Sequence, residues 1–163
     1  MKKITIFLTG TLLLVSLVFV TAFKPAANRP SANGQGAILA PYMNGQVQTF
    51  SFHANTANNG TVSGSFQSNS PGQNIQVHGN INCLVVLADG KTAAMRGVVT
   101  RVNANNPFGV VVGTVIWFKV QDNGEGSNAA ADQFSDYYPG FDLCGNAQVD
   151  MFEIVAGNIQ VKK

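Results

Sequence analysis

From Gly34 onward the chain alternates apolar and polar residues in short runs. Turn dipeptides separate the runs, and no window of ten or more residues carries a 3.6-residue apolar period with caps. Side chains that alternate faces every second residue belong to strands, so the pattern predicts an all-β chain. Ala37-Ile38-Leu39-Ala40 leads to Asn44-Gly45, the dipeptide a type I′ turn wants because both central residues need positive φ. Val47 to Ala54 follows with Phe50 and Phe52 on one face, then Asn58-Asn59-Gly60 turns into the run 61–68. Ser70-Pro71-Gly72 precedes a long run over 74–88, and Asp89-Gly90 joins that run to 92–102. Asn105-Asn106-Pro107 opens 108–120, which reads as a strand covered on both faces. Phe108, Val110, Val112, Ile116, Phe118 and Val120 share one side; Val111, Val115 and Trp117 share the other. A polar loop spans 122–132, a short strand is expected within 133–138, and 148–155 and 158–161 close the chain. Each proline falls in a linker, a turn or, at Pro41, an expected edge.

Seven to nine antiparallel strands joined by hairpins describe a barrel-like domain, with a β-sandwich as the alternative. Sequential hairpins favour an up-and-down order, and closure would remove the open edges that make neutral, apolar strands an aggregation hazard.

The N-terminus sets the compartment. Lys2 and Lys3 precede a charge-free run from Ile4 to Val20, and Val20-Thr21-Ala22 supplies small residues at a cleavage site. Residues 1–22 therefore read as a secretory signal peptide, the alternative being an uncleaved anchor. No Cys follows to carry a lipid. Residues 23–34, with two prolines and small polar side chains, read as a flexible linker, leaving an all-β domain over 35–163. The formal charge of +2 is carried by Lys2 and Lys3, so removing the signal leaves eight basic and eight acidic residues. A neutral chain with 11% charged residues offers no electrostatic footprint for nucleic acid and no basic face for anionic lipid. Neither nucleic acid nor, after signal cleavage, a membrane is expected as a partner; the location expected is secreted or periplasmic.

Cys83 and Cys144 are the two cysteines. In an exported chain they predict one disulfide. A zinc site would also need His53 and His78, and no Cys-x-x-Cys or His-x-x-x-His spacing supports one. Both histidines are out of phase with their apolar neighbours and should point away from the core.

The densest group of polar side chains is Asp122-Asn123-Gly124-Glu125-Gly126-Ser127-Asn128, followed by Asp132. If a metal binds at all, the expected ion is calcium on Asp122, Glu125 and Asp132, helped by Asn123 or Asn128, because oxygen donors select hard cations. The spacing does not match an EF-hand, and Asx turns that cap the loop's own backbone explain the same residues. A triad can be drawn from a histidine, Asp136 or Asp150 and a serine, but no Gly-x-Ser-x-Gly elbow accompanies it. No catalytic residue and no cofactor other than calcium is expected. Trp117, Tyr137 and Tyr138 are candidate ligand contacts, while the many phenylalanines are core by their phase. Asn59-Gly60-Thr61 matches a glycosylation sequon.

A wider pattern runs through the mature chain: Gly34-x-Gly36-Ala37-Ile38, Phe50-Ser51-Phe52-His53-Ala54, Gly60-x-Val62-x-Gly64-x-Phe66 and Ile81-Asn82-Cys83-Leu84. It continues through Ala94-x-x-Gly97, Phe118-x-Val120-x-Asp122-Asn123-Gly124-Glu125-Gly126, Asp132-x-Phe134 and Gly157-Asn158-Ile159-x-Val161. This resembles a family of bacterial secreted all-β domains. The resemblance implies an exported all-β domain and no established activity. The leading expectation is thus a non-enzymatic exported module that binds a glycan, a surface polymer or a protein. A barrel holding a small apolar ligand comes second and a secreted hydrolase third. An internal pocket with a polar tip would separate the last two from the first.

Overall fold

The computed structural model describes residues 29–40, 43–103, 108–140, 144–145 and 148–163. The expected signal peptide, most of the linker, Pro41 and the turn at 105–107 lie outside these residues. Among the described residues, alternation in the sequence becomes ten strands: β1 Ser31–Ala40, β2 Gln46–Thr56, β3 Val62–Ser70, β4 Ile75–Val86, β5 Thr92–Val102, β6 Val115–Gln121, β7 Gln133–Phe134, β8 Tyr138–Pro139, β9 Phe152–Glu153 and β10 Ala156–Lys162. They form one antiparallel sheet in the order β10-β1-β2-β3-β4-β5-β6-β7-β9, with β8 attached to β6. This sheet is curled into a half-barrel, so the barrel-like expectation holds and the sandwich does not.

Inner-face residues explain the curl. Phe50, Phe52 and Ala54 of β2 are buried, as are Phe66 of β3, Ile81 of β4, Met95 and Val99 of β5 and Phe118 and Val120 of β6. Phe50 stacks on Phe134 with ring centroids 4.2 Å apart, and Phe118 packs on Phe52 at 5.5 Å and Phe134 at 5.7 Å. The glycines of the Gly-x-Gly motif leave room for these rings. A Cβ on Gly34 would press on the Phe52 ring, and one on Gly36 would meet Phe50. Gly79 of β4 and Gly97 of β5 do the same for Phe66. A large ring covering a glycine on the next strand fills space that two large side chains would overfill.

Four expectations change. Ser31–Gly34, placed in the linker, begins β1, because its residues pair with Asn55–Phe52 on one side and Lys162–Ile159 on the other. Asn44 and Gly45 do adopt positive φ of 54° and 73°, but they end a five-residue connection, since Ala40 pairs with Gln46. The strand expected over 108–120 begins only at Val115. Gly109 and Gly113 take positive φ and Thr114 N–H donates to Val111 O, so Phe108, Val111 and Val112 lie exposed in a loop. The late segments are shorter than expected as well: within 133–138 a left-handed Asp136 separates β7 from β8, and 148–155 yields only the two-residue β9.

The sheet's two ends meet through the segment from β9 to β10. Ile154 N–H donates to Asp132 O, and Val155 N–H to Ala37 O on β1. The predicted bridge Cys83–Cys144 is present, with Cα atoms 6.2 Å apart, and fastens the outer face of β4 to the segment after β8.

Candidate functional site

Polar residues interrupt the apolar inner face near one end of the sheet. Gln48 precedes Phe50 and Phe52 in their phase, and Ser68 and Ser70 follow Phe66 in its phase. All three are buried. Smaller side chains there leave a cavity of ≈ 370 Å³. Phe66, Ile75, Val77, Val110 and Ile116 form apolar walls, with Met43, Phe108, Tyr138 and Pro139 completing them. The polar wall is Gln48, Ser68, Ser70 and Asp136.

Asp136 is set there by its neighbours. Ser135, fully buried, exchanges bonds with β6: its hydroxyl accepts from Lys119 N–H at 2.8 Å and its own N–H donates to Lys119 O at 3.0 Å. The Ser135 hydroxyl donates in turn to Asp136 O at 2.9 Å. Asp136 then takes φ 68°, a left-handed conformation that Asp tolerates better than most residues. Its carboxylate folds back so that Oδ1 accepts Tyr137 N–H at 2.6 Å and Gln48 Nε2 at 2.6 Å. Gln48 Nε2 also donates to Ser68 Oγ at 3.1 Å. Three strands and one loop thus contribute to a single polar network against an otherwise apolar wall. Tyr137 packs on Phe118 and Phe134 at 4.9 and 5.1 Å, and its hydroxyl donates to Gln67 O at 3.0 Å. Burial, and then the nearby Asp136 charge, hold its phenol well above the usual tyrosine pKa. It is a neutral donor at any physiological pH. Among the described lining residues Asp136 is the charged one, and none is Lys, Arg or His.

No protein-family model, curated protein or solved structure matches this chain.

The other expected site residues fall elsewhere. Trp117 and Tyr138 stack at 5.0 Å, while Tyr137 turns into the core, so the three rings do not share one platform. Trp117 is only 8% exposed. His53 and His78 lie on the outer face, as their phase indicated. His53 Nδ1 meets Ser65 Oγ at 3.1 Å, and His78 Nε2 accepts from Arg101 at 2.6 Å. Asp136 is inside the sheet, so neither histidine joins it in a triad.

Carboxylates of the acidic loop line up along β10. Asp132 Oδ2 accepts Ile159 N–H at 2.8 Å and its Oδ1 accepts Asn123 N–H at 2.8 Å. Asp122 Oδ2 accepts Val161 N–H at 3.0 Å, and Glu125 Oε1 accepts from Asn158 Nδ2 at 3.0 Å. Amides at 159 and 161 point away from β1, so Asp132 and Asp122 stand where the carbonyls of another strand would be. Among the described residues no three His, Cys, Asp or Glu side chains gather as a metal would need. Sequence reasoning did not single out Gln48 and Ser68. The signal was readable, since both are polar residues in an apolar phase.

Proposed function

We propose that this chain is an exported half-barrel that binds a small, largely apolar molecule in the cavity under β2, β3, β4 and β6. One observation carries the reading: a cavity of ≈ 370 Å³ with apolar walls and one convergent polar network. Ligand pockets have this composition and start at about 300 Å³, whereas voids in a merely structural core are few and small. Phe108, at the cavity wall and 53% exposed, together with exposed Val111 and Val112, gives an apolar approach. Export is supported by the N-terminal sequence and by the disulfide, which belongs to oxidising compartments. No helix among the described residues is long and apolar enough to cross a membrane.

The surface-module reading is weaker on its own terms. Sugars stack on open aromatic faces, and Trp117 has almost none to offer. Titrating the purified protein with the neutral fluorescent probe N-phenyl-1-naphthylamine tests the cavity. Saturable one-to-one binding is expected, abolished by Val77→Trp, which fills the space. Binding that is absent, or that survives the filled cavity, refutes the reading.

A further inference from the structure

Resting on that reading, we infer that the cavity takes an alcohol, an apolar body whose hydroxyl accepts from Ser70 Oγ and donates to Gln48 Oε1. Ser70 ends β3 on the inner face and is 5% exposed. A serine before a helical turn commonly caps it, yet Ser70 Oγ makes no capping bond to the 3₁₀ turn at Pro71–Gln73. Every fully enclosed side-chain oxygen or nitrogen among the described residues has a hydrogen-bond partner. The Ser70 hydroxyl has no partner among them, so it opens on the cavity that the residue lines. A hydroxyl set in apolar walls is unfavourable until something meets it, and the group placed to meet this one is the cavity's occupant.

Gln48 supplies the complementary half. Thr49 pairs with Asn69, so Gln48 and Ser70 stand opposite each other one rung further on, with Cβ atoms about 5 Å apart. Both hydrogens of the Gln48 amide are used: Nε2 donates to Asp136 Oδ1 at 2.6 Å and to Ser68 Oγ at 3.1 Å. The acceptor at Asp136 fixes which way the amide is turned. Its other end, Oε1, can only accept, and among the described residues it has no donor. A rotatable donor beside a fixed acceptor is the complement of one hydroxyl group, which accepts and donates at once. An ether or a ketone would satisfy Ser70 and leave Oε1 bare, and a hydrocarbon would satisfy neither. Phe66, Ile75, Val77 and Ile116 suit an alkyl or ring body. The size fits too: ≈ 370 Å³ holds roughly a dozen water-sized groups at about 30 Å³ each, enough for a short chain and its hydroxyl.

Octan-1-ol and its isomer heptyl methyl ether have the same atoms, and only the alcohol's oxygen carries a hydrogen to donate. Each is measured by calorimetry and by displacement of N-phenyl-1-naphthylamine. The alcohol is expected to bind at least about five-fold more tightly, the worth of one neutral hydrogen bond. In Ser70→Ala octan-1-ol should weaken about three- to ten-fold, while affinity for N-phenyl-1-naphthylamine stays within about two-fold, because alanine keeps the wall and removes only the hydroxyl. If the ether binds as tightly as the alcohol, or Ser70→Ala leaves octan-1-ol unaffected, the hydroxyl inference falls and the ligand-binding reading stands. If octan-1-ol and the probe weaken together in Ser70→Ala, Ser70 shapes the cavity instead of holding a head group, and the inference falls in the same way. If neither ligand binds and the probe is not taken up, both fall. Should Ser70→Ala not fold, the ranking of alcohol and ether on the unaltered protein still decides.

Discussion

Gly79 shows how closely single residues constrain this sheet. Its missing side chain leaves space that Phe66 occupies, and a Cβ there would run into both the ring and Val98 O. The ring can rotate away but the carbonyl cannot. Gly79→Ala should therefore destabilise the protein by about 1–3 kcal/mol, the usual cost of overpacking, read from the midpoint of urea unfolding. On the opposite face of β4, burial first and the adjacent Arg101 charge second hold His78 below the usual histidine pKa. The native state then binds fewer protons there than the unfolded chain, whose histidine titrates near 6.5. Stability at this site is thus present above about pH 6.5 and declines as pH falls through the lowered native value. An NMR titration should show His78 titrating low, and Arg101→Gln should bring it part of the way back up. No change in that variant would mean that Arg101 does not set the shift.

At the scale of elements, the acidic loop acts as a latch on β10. Asp132 takes two backbone amides, one from the loop and one from the buried Ile159. Removing the carboxylate strands both donors, so Asp132→Ala should cost roughly 2–4 kcal/mol. Hydrogen exchange should then show β10 amides opening before those of β4 and β5. These oxygens are already committed to amides, so calcium at millimolar concentration is expected to leave the unfolding midpoint where a chelator leaves it. A rise with calcium would restore the metal reading, since a ligand of the folded state stabilises by mass action. What was legible in the sequence divides along the same line. The long strands β2 to β5 could be read because their alternation repeats often enough to exclude a helix, whereas the start of β1 was hidden among small polar residues. The stretch 108–114 could not: every second residue is apolar, yet Gly109 and Gly113 bend the backbone out of the sheet. Carboxylate density in 122–132 was equally ambiguous, because calcium and backbone amides both ask for oxygen acceptors. Only the third dimension shows that β10 supplies the amides.

For the whole molecule, the order of strands, the curl and the covalent tie determine whether a cavity survives at all. Consecutive hairpins from β1 to β6 made the sheet order readable from sequence, whereas the cavity depends on which end of the half-barrel the rings fill. Phe50, Phe52, Phe118 and Phe134 pack against one another, and Gln48, Ser68 and Ser70 are too short to fill the space near the other end. A cavity forgoes packing contacts, so the frame around it has to be held by other means. Cys83 and Cys144 are 61 residues apart, enclosing β5 to β8 and with them Val110, Ile116 and Asp136 of the cavity wall. In the chain-entropy model a loop of that length is worth about 4 kcal/mol. The double variant Cys83→Ser with Cys144→Ser should lose roughly that much in denaturant unfolding, or about 10–15 °C in Tm at some 3 °C per kcal/mol. Neither cysteine lines the cavity, so affinity for N-phenyl-1-naphthylamine, measured well below the new midpoint, should stay within about two-fold of the parent. If stability and affinity fall together, the bridge shapes the cavity directly. If stability alone falls, its part is to keep the unfolded chain from spreading, and the half-barrel holds its cavity by packing and by the β10 latch.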